Sequence, residues 1–273
     1  VNGAASLALP AMLETLGCTV FRLYCDPNGE FPRGSEPLPH NLKNLCEAVI
    51  TNQADVGFAS DPDGDRLAVV DEKGHPLGEE YTLIICADGF LSSTKSDAPL
   101  VTNLSTSMAL DKVAGKYGSS VIRSAVGEIN VVNQMKETGA LFGGEGNGGI
   151  ILKESHYGRD SLVGVALFLN RMAMDSKPVS SIFQSMPQYI MVKNKIELGP
   201  LDPDSGINRI ANAFPNASIS RIDGLKLLWE NSWVHIRKSN TEPIIRIYAE
   251  AITKLEADRI IGKVKSILQT IKL

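Results

Sequence analysis

Cysteine is scarce in the sequence, and long apolar runs are absent from it. The 273 residues include four cysteines, with no C-x-x-C pair and no histidines at metal-site spacing, so neither a disulfide framework nor a zinc site is predicted. No apolar run approaches the roughly 20 residues that span a bilayer. These absences favour a protein of the reducing cytoplasm with no membrane partner.

An excess of positive charge is also lacking. The chain has 27 Lys and Arg against 31 Asp and Glu, a net charge of -4, and its basic residues are spread rather than clustered. Such a pattern argues against nucleic acid as a partner. Any anionic ligand must therefore be held by a local arrangement of side chains.

The sequence begins in the middle of a secondary-structure pattern. Val1-Asn2-Gly3 is typical of a strand that ends in a turn, and a helical pattern from Leu7 to Leu16 follows at once. We therefore interpret the sequence as a fragment of a longer chain.

Two stretches repeat one plan of helix, apolar run, helix, strand and loop. In the first, helices end at Gly17 and Thr51, and in the second at Gly118 and Glu137. After about Gln188 the pattern changes to alternating strands followed by one amphipathic helix, 254 to 271. We predict an α/β fold with two consecutive domains of similar topology, 1–76 and 77–187, and a small α+β C-terminal domain, 188–273.

The first candidate site is the acidic loop Asp61-Pro62-Asp63-Gly64-Asp65-Arg66, between two apolar strand patterns, Asp55 to Ser60 and Leu67 to Val70. Carboxylates at alternate positions point to one side of an extended backbone and concentrate the hard oxygen ligands that Mg²⁺ prefers. Without a cation, at least one of the three pKa values would have to rise. The next residue, Arg66, has a guanidinium that suits a phosphate oxygen beside the metal.

Other interpretations of this loop remain open. Good turn formers can make a merely acidic turn, in which Arg66 only neutralises a neighbouring aspartate. An EF-hand would end at Glu72, but it would need glycine where Arg66 stands and helices on both sides. A phosphatase with an aspartyl nucleophile could use Asp61 for attack and Asp63 as the acid.

Two further loops carry polar groups on a permissive or tightly turned backbone. The glycine-rich loop 143–149 offers Glu145 and Asn147, which can hold two adjacent sugar hydroxyls, although glycine-rich turns are common. The hairpin 237–243 joins two alternating strands and could surround a phosphate, or it could be a plain polar turn. Its candidate ligands are Arg237, Ser239, Asn240, Thr241 and the nearby Arg246.

Three motifs, taken in their order along the chain, resemble the metal, sugar and phosphate loops of the α-D-phosphohexomutases. They are D-P-D-G-D-R, G-E-G-N-G and R-K-S-N-T-E-P, and the resemblance covers nearly the whole chain. The resemblance implies Mg²⁺ on Asp61, Asp63 and Asp65. It further implies sugar hydroxyls on Glu145 and Asn147, and the non-reacting phosphate of a phosphorylated hexose on the hairpin. The implied partner within the same chain is a missing N-terminal domain.

The sequence departs from this family at three places. The Ser-His-Asn-Pro nucleophile loop does not occur in it, many relatives have Ser where Asn147 stands, and Val126-Gly127-Glu128 resembles the V-G-D of phosphoglucosamine mutases. The implied reaction of the full protein is phosphoryl transfer between O1 and O6 of a hexose. The fragment itself is expected to be inactive. The alternatives are the aspartyl phosphatase and a non-catalytic phosphosugar-binding protein.

Overall fold

The fold was analysed in a computed structural model that describes residues 2–197, 203–239 and 242–269. The chain divides into two units: the first holds the residues up to Arg123 together with Gly127–Pro187, and the second holds Ser124–Val126 and the residues from Gln188 onward. Over these described ranges, the first unit holds a two-stranded and a four-stranded sheet, and the second unit holds one five-stranded sheet. Within the described residues, no helix is both long and apolar enough to cross a membrane.

The first unit alternates helices and strands. Its helices are α1 (Ala5–Thr15), α2 (Lys43–Asn52), α3 (Glu79–Thr94), α4 (Ala109–Lys116), α5 (Glu128–Thr138), α6 (Ser161–Asp175) and α7 (Val179–Ser185), with a 3-10 turn at Pro39–Asn41. Its strands are β1 (Val56–Ser60), β2 (Leu67–Asp71), β3 (Leu100–Asn103), β4 (Val121–Ser124), β5 (Phe142–Glu145) and β6 (Gly149–Leu152).

Two halves of this unit follow the same plan, which confirms the expected repetition of an α/β topology. The order α2, β1, loop, β2, α3 in the first half matches α5, β5, loop, β6, α6 in the second. β1 pairs antiparallel with β2, and β5 pairs antiparallel with β6. The second half adds β3 and β4 in a four-stranded sheet of order β4-β3-β5-β6, with β3 parallel to β5.

The apolar run from Thr19 to Leu23 has no regular secondary structure and lines a cleft beside β1. One local expectation was wrong. The glycine-rich loop is shorter than the pattern suggested, because Gly143 to Glu145 lie within β5. Only 146–148 remain as the turn of a tight hairpin, since Glu145 already pairs with Gly149.

Main-chain hydrogen bonds join the acidic loop to the glycine-rich hairpin. An isolated antiparallel bridge joins Arg66 to Gly149, and the Leu67 N–H donates to the Gly148 carbonyl oxygen at 2.9 Å. The acidic loop of the first half and the glycine hairpin of the second are therefore held in fixed register by main-chain hydrogen bonds.

The second unit contains one antiparallel sheet of order β7-β11-β10-β9-β8 and two helices. Its elements are β7 (Ile190–Glu197), α8 (Pro203–Ala213), β8 (Ser218–Ser220), β9 (Leu225–Leu228), β10 (Ser232–Lys238), β11 (Ile244–Ala251) and α9 (Lys254–Gln269). Apolar residues from alternate strand positions pack against α8 and α9 in one core. The expected helix end at 271 lies outside the described residues, and the three-domain limits stay a prediction.

His235 makes the second unit sensitive to acid. Burial lowers its pKa from 6.5 to about 4, although its Nε2 donates a 2.6 Å hydrogen bond to the Asp223 carbonyl oxygen. The unfolded chain binds this proton first as the pH falls, so stability is full above about pH 6.5 and is lost between pH 6.5 and 4. We expect the loss to reach about 3 kcal/mol.

The measurement is chemical denaturation of the wild type and of His235→Gln across that pH window. Glutamine keeps a donor for the Asp223 carbonyl but does not titrate, so the difference between the two pH profiles isolates the histidine. Parallel profiles would contradict the assignment.

Candidate active site

Three aspartates of the acidic loop lie together at the end of β1. One carboxylate oxygen from each of Asp61, Asp63 and Asp65 lies within 4.8 Å of the other two. Asp61 is buried, Asp65 is half-buried and Asp63 is exposed. The set is all-oxygen, carries three negative charges and opens to solvent on one side, which suits Mg²⁺.

Asp61 organises the loop backbone. Its Oδ1 accepts hydrogen bonds from the N–H groups of Asp65 and Arg66, both at 3.0 Å, and its Oδ2 accepts from the Arg66 Nε at 2.7 Å. Burial alone would raise the pKa of Asp61, but the hydrogen bonds and charge of Arg66 outweigh it and hold the pKa below the usual value. Asp61 is therefore an ionised carboxylate whose hydrogen bonds hold the turn of the loop.

Asp65 shows that the residues fit a cation. Burial and contact with Asp61 raise its pKa to about 6, although Arg159 acts in the opposite direction. Its Oδ1 is buried and has no hydrogen-bond partner among the described residues. The Arg66 Nε lies 3.7 Å from this oxygen, too far for a hydrogen bond. A buried carboxylate oxygen without a hydrogen bond is costly, and it is the type of atom that a divalent ion ligates.

The guanidinium of Arg66 stays close to the acidic loop. Besides its bond to Asp61, its Nη1 lies 3.3 Å from Oε1 of Glu36, a half-exposed residue of the preceding long loop. Its side chain is 23% exposed. Arg66 therefore balances Asp61 and still reaches the surface, where an anionic ligand can contact it.

Glu145 sits at the carboxyl end of β5 inside a polar network. Its Oε1 accepts from Asn103 Nδ2 at 2.7 Å and from the Gly127 N–H at 3.1 Å. Its Oε2 accepts from Arg159 at 2.9 Å. The strand ends of β3 and β5 thus converge on this carboxylate, at the edge where open α/β sheets bind ligands.

Asn147 lies at the tip of the hairpin. Its Oδ1 accepts from the Gly149 N–H at 3.1 Å, so the amide nitrogen is the part of this side chain that remains able to donate to a ligand. The neighbouring Gly146 leaves no room for a side chain, because a Cβ there would lie 2.0 Å from a carboxylate oxygen of Glu80. Glu80 is thus a second acidic group beside the hairpin.

The sequence did not reveal the role of Arg159, which connects the two loops. Its guanidinium pairs with Asp65, with Glu145 at 2.9 Å and with Glu128 at 3.3 Å. Its backbone N–H donates to Glu128 at 2.9 Å. A lone arginine just before the helix-capping Asp160 carries no motif, and only the folded chain shows that it is surrounded by carboxylates from the acidic loop, the start of α5 and the end of β5.

Gly148 has no space for a larger residue at the junction of the two loops. Its φ is +87°, and a Cβ there would lie 2.3 Å from the carbonyl oxygen of Leu67.

We expect Gly148→Ala to lower the free energy of unfolding by about 2 kcal/mol or more, as measured by urea denaturation. The control is Gly139→Ala, where φ is +73° but no atom lies within 4 Å. It should cost only about 1 kcal/mol, and equal losses would contradict the steric argument.

The arginine-bearing hairpin 237–243 belongs to the second unit. Arg237 on β10 pairs directly with Arg246 on β11, and the Ser239 N–H donates to the Ile244 carbonyl oxygen at 2.9 Å. Arg246 forms an ion pair with Glu242 at 2.7 Å. The other two candidates, Asn240 and Thr241, lie outside the described residues.

Three family models match the chain in succession. The model for "Phosphoglucomutase/phosphomannomutase, alpha/beta/alpha domain II" matches residues 1–74, that for alpha/beta/alpha domain III matches 78–189, and that for the C-terminal domain matches 193–266. The chain belongs to the phosphoglucomutase/phosphomannomutase family. Its three matched segments carry the acidic loop, the glycine hairpin and the arginine-bearing hairpin in turn.

Two relatives in this family are similar to nearly the whole chain. A phosphoglucomutase/phosphomannomutase of Thermococcus kodakarensis is 36% identical over 94% of this chain, and a probable phosphoglucosamine mutase of Methanopyrus kandleri is 33% identical over 92% of it. The chain spans 56% of the length of each relative.

Solved structures of the family share the fold. A phosphoglucomutase/phosphomannomutase family protein from Burkholderia thailandensis superimposes with a TM-score of 0.86 at 24% identity, over 99% of this chain and 59% of that one. An N-acetylphosphoglucosamine mutase of Aspergillus fumigatus, in complex with GlcNAc-6P and magnesium, gives a TM-score of 0.55 at 15% identity, over 77% and 51% of the two chains.

Proposed function

We propose that these residues form the metal, sugar and phosphate sites of a Mg²⁺-dependent phosphohexose mutase. The full protein would move a phosphoryl group between O1 and O6 of a hexose, through a phosphoserine and a sugar bisphosphate. Membership of a family of mutases supports the reaction class. The roles of the individual residues are inferred from their positions and chemistry.

The observation that carries the proposal is the arrangement of the three aspartates. Their oxygens converge within 4.8 Å, and one buried oxygen of Asp65 has no hydrogen-bond partner among the described residues, with the Arg66 Nε 3.7 Å away. A bound Mg²⁺ would neutralise charge on the transferring phosphoryl group. Arg66, held against Asp61, would add a positive charge on the same side.

Sugar recognition falls to the glycine hairpin and phosphate recognition to the second unit. Because the sugar must present either end, Glu145 and Asn147 should contact hydroxyls that occupy equivalent places in both orientations. The hairpin with Arg237, Ser239 and Arg246 would hold the idle phosphate. Among hexose phosphates, the V-G-E segment and the relatives named phosphoglucosamine mutases favour glucosamine phosphate.

The chain by itself is proposed to bind its ligands without turnover. No Ser-His-Asn-Pro occurs among its 273 residues, so none of them supplies the serine nucleophile of the family. Mutase activity of this chain alone would refute that part of the proposal.

The geometry of Asp61 counts against the aspartyl phosphatase. A nucleophilic carboxylate needs an accessible oxygen, but Asp61 is 1% exposed and both of its oxygens accept hydrogen bonds. A phosphatase would still release phosphate from p-nitrophenyl phosphate and leave an adduct on Asp61. Neither result is expected.

The decisive test is calorimetric titration of the chain with Mg²⁺, followed by glucosamine 6-phosphate with and without the metal. The proposal expects one Mg²⁺ site that a chelator empties, and sugar phosphate binding that the metal strengthens. Absence of Mg²⁺ binding would favour a phosphosugar-binding protein with a non-functional acidic loop.

A further inference from the structure

The sheet of the second unit carries positive charge on the face away from its helices. Residues in odd positions of β11, such as Ile245 and Ile247, pack into the core with α8 and α9. Even positions of β11 face the other way. There Arg246 lies between Arg237 of β10 and Lys195 of β7, because the register pairs it directly with both.

This cationic row, Lys195–Arg246–Arg237, is unusual for adjacent strands. Directly opposite residues have Cβ atoms about 5 Å apart, and like charges in that arrangement destabilise a sheet. Glu242 pairs with Arg246 at 2.7 Å. Glu197 lies on the same face but forms no ion pair with the row among the described residues. One paired carboxylate therefore faces three cations.

Arg237 has bonding capacity left for a ligand. Its Nε is buried and has no partner among the described residues. A Cβ on Gly224 would lie 3.0 Å from both Cα and Cβ of Arg237, so the 221–224 loop confines the residue from one side. At the hairpin end of the row, the Ser239 hydroxyl lies 3.5 Å from Arg246.

We propose that Lys195 extends the hairpin into a three-cation row that binds a phosphate dianion. The inference rests on the proposed function, which assigns only the hairpin side of this site. A dianion placed over the row would reduce the repulsion between the three cations and would accept a hydrogen bond from the Nε of Arg237. Lys195, which is exposed on β7, supplies a charge that the hairpin motif does not contain.

The test compares Lys195→Gln with Lys193→Gln. The control residue lies on the same strand and face, two positions away, where its Nζ contacts the Tyr248 ring at 5.8 Å. Thermal unfolding is followed at low ionic strength, without phosphate and with increasing inorganic phosphate, at ionic strength matched with chloride. A second titration uses glucosamine 6-phosphate.

The two variants should differ in a characteristic way. Lys195→Gln should keep or raise the Tm of the phosphate-free chain and should weaken phosphate binding about tenfold, for both phosphates alike. Lys193→Gln should change phosphate affinity less than twofold. Equal losses in both variants would reveal only a long-range charge effect and would overturn the proposal.

Other outcomes separate this inference from the proposed function. Unchanged phosphate affinity in Lys195→Gln, with binding intact in the wild type, would refute the row but leave the hairpin assignment standing. Loss confined to glucosamine 6-phosphate would overturn the row as a site for the phosphate group itself. A wild-type chain that binds neither phosphate would overturn the hairpin assignment and the row together.

Discussion

Replacing Asp63 with asparagine is expected to weaken Mg²⁺ binding by about a hundredfold, because the site loses one of its three anionic ligands. Asp63 is the exposed member of the cluster. Unlike Asp61, it accepts no hydrogen bond from the loop backbone within the described residues, so the metal-free fold should keep its stability or gain some as like-charge repulsion falls. Calorimetric titration at low salt measures the affinity, and urea unfolding without metal measures the stability.

The matched control is Asp97→Asn, which removes the same charge from an exposed position in the α3–β3 loop, outside the aspartate cluster. It should leave Mg²⁺ affinity nearly unchanged. If Asp63→Asn binds Mg²⁺ as tightly as the wild type, the acidic loop is not the metal site, and the mutase proposal loses the observation on which it depends.

The sequence was sufficient to locate the acidic loop, because its signal is local. Six consecutive residues supply the ligands, and the apolar strands on both sides predict where the loop must emerge. β1 and β2 were expected from Asp55 to Ser60 and Leu67 to Val70, and the structure has them at Val56–Ser60 and Leu67–Asp71. The same holds for the strands β10 and β11 that flank the arginine-bearing hairpin.

Helix α3 illustrates why other parts could not be predicted from periodicity. Eleven consecutive residues, Tyr81 to Leu91, are buried, so the helix has no polar face and shows no 3.6-residue alternation. It packs against β2 of the first half and α6 of the second. It even buries Asp88, which pairs with Arg171 of α6 at 2.6 Å. Only tertiary packing explains such a segment.

The extent of the glycine hairpin was missed for a related reason. Glycine at 143, 144, 146, 148 and 149 predicts a flexible loop, but most of these positions are small because other groups pass close by. A Cβ on Gly143 would meet Met135, and one on Gly149 would lie 2.2 Å from Cδ of Arg159. These contacts are long-range, and no local pattern records them.

Arg159→Met is expected to lower the free energy of unfolding by about 4 kcal/mol in metal-free buffer. Methionine keeps most of the side-chain volume beside Gly149, but it leaves Asp65, Glu145 and Glu128 without their shared cation. Removing one partner from a largely buried ion pair typically costs about 3 to 5 kcal/mol, because the remaining charge is uncompensated. Arg159 is 17% exposed and Glu145 5%.

Mg²⁺ should reduce this loss, and that dependence distinguishes a metal site from an ordinary ion-pair network. An ion held by Asp61, Asp63 and Asp65 would neutralise the carboxylate that Arg159 no longer reaches, so the deficit in urea unfolding should shrink as Mg²⁺ is added. The control, Arg22→Met, removes an exposed pair with Glu14 and should leave the free energy of unfolding nearly unchanged whether or not Mg²⁺ is present. A deficit for Arg159→Met that Mg²⁺ does not change would mean that the arginine supports Glu145 and Glu128 alone, and that the acidic loop and the glycine hairpin are not coupled through Asp65.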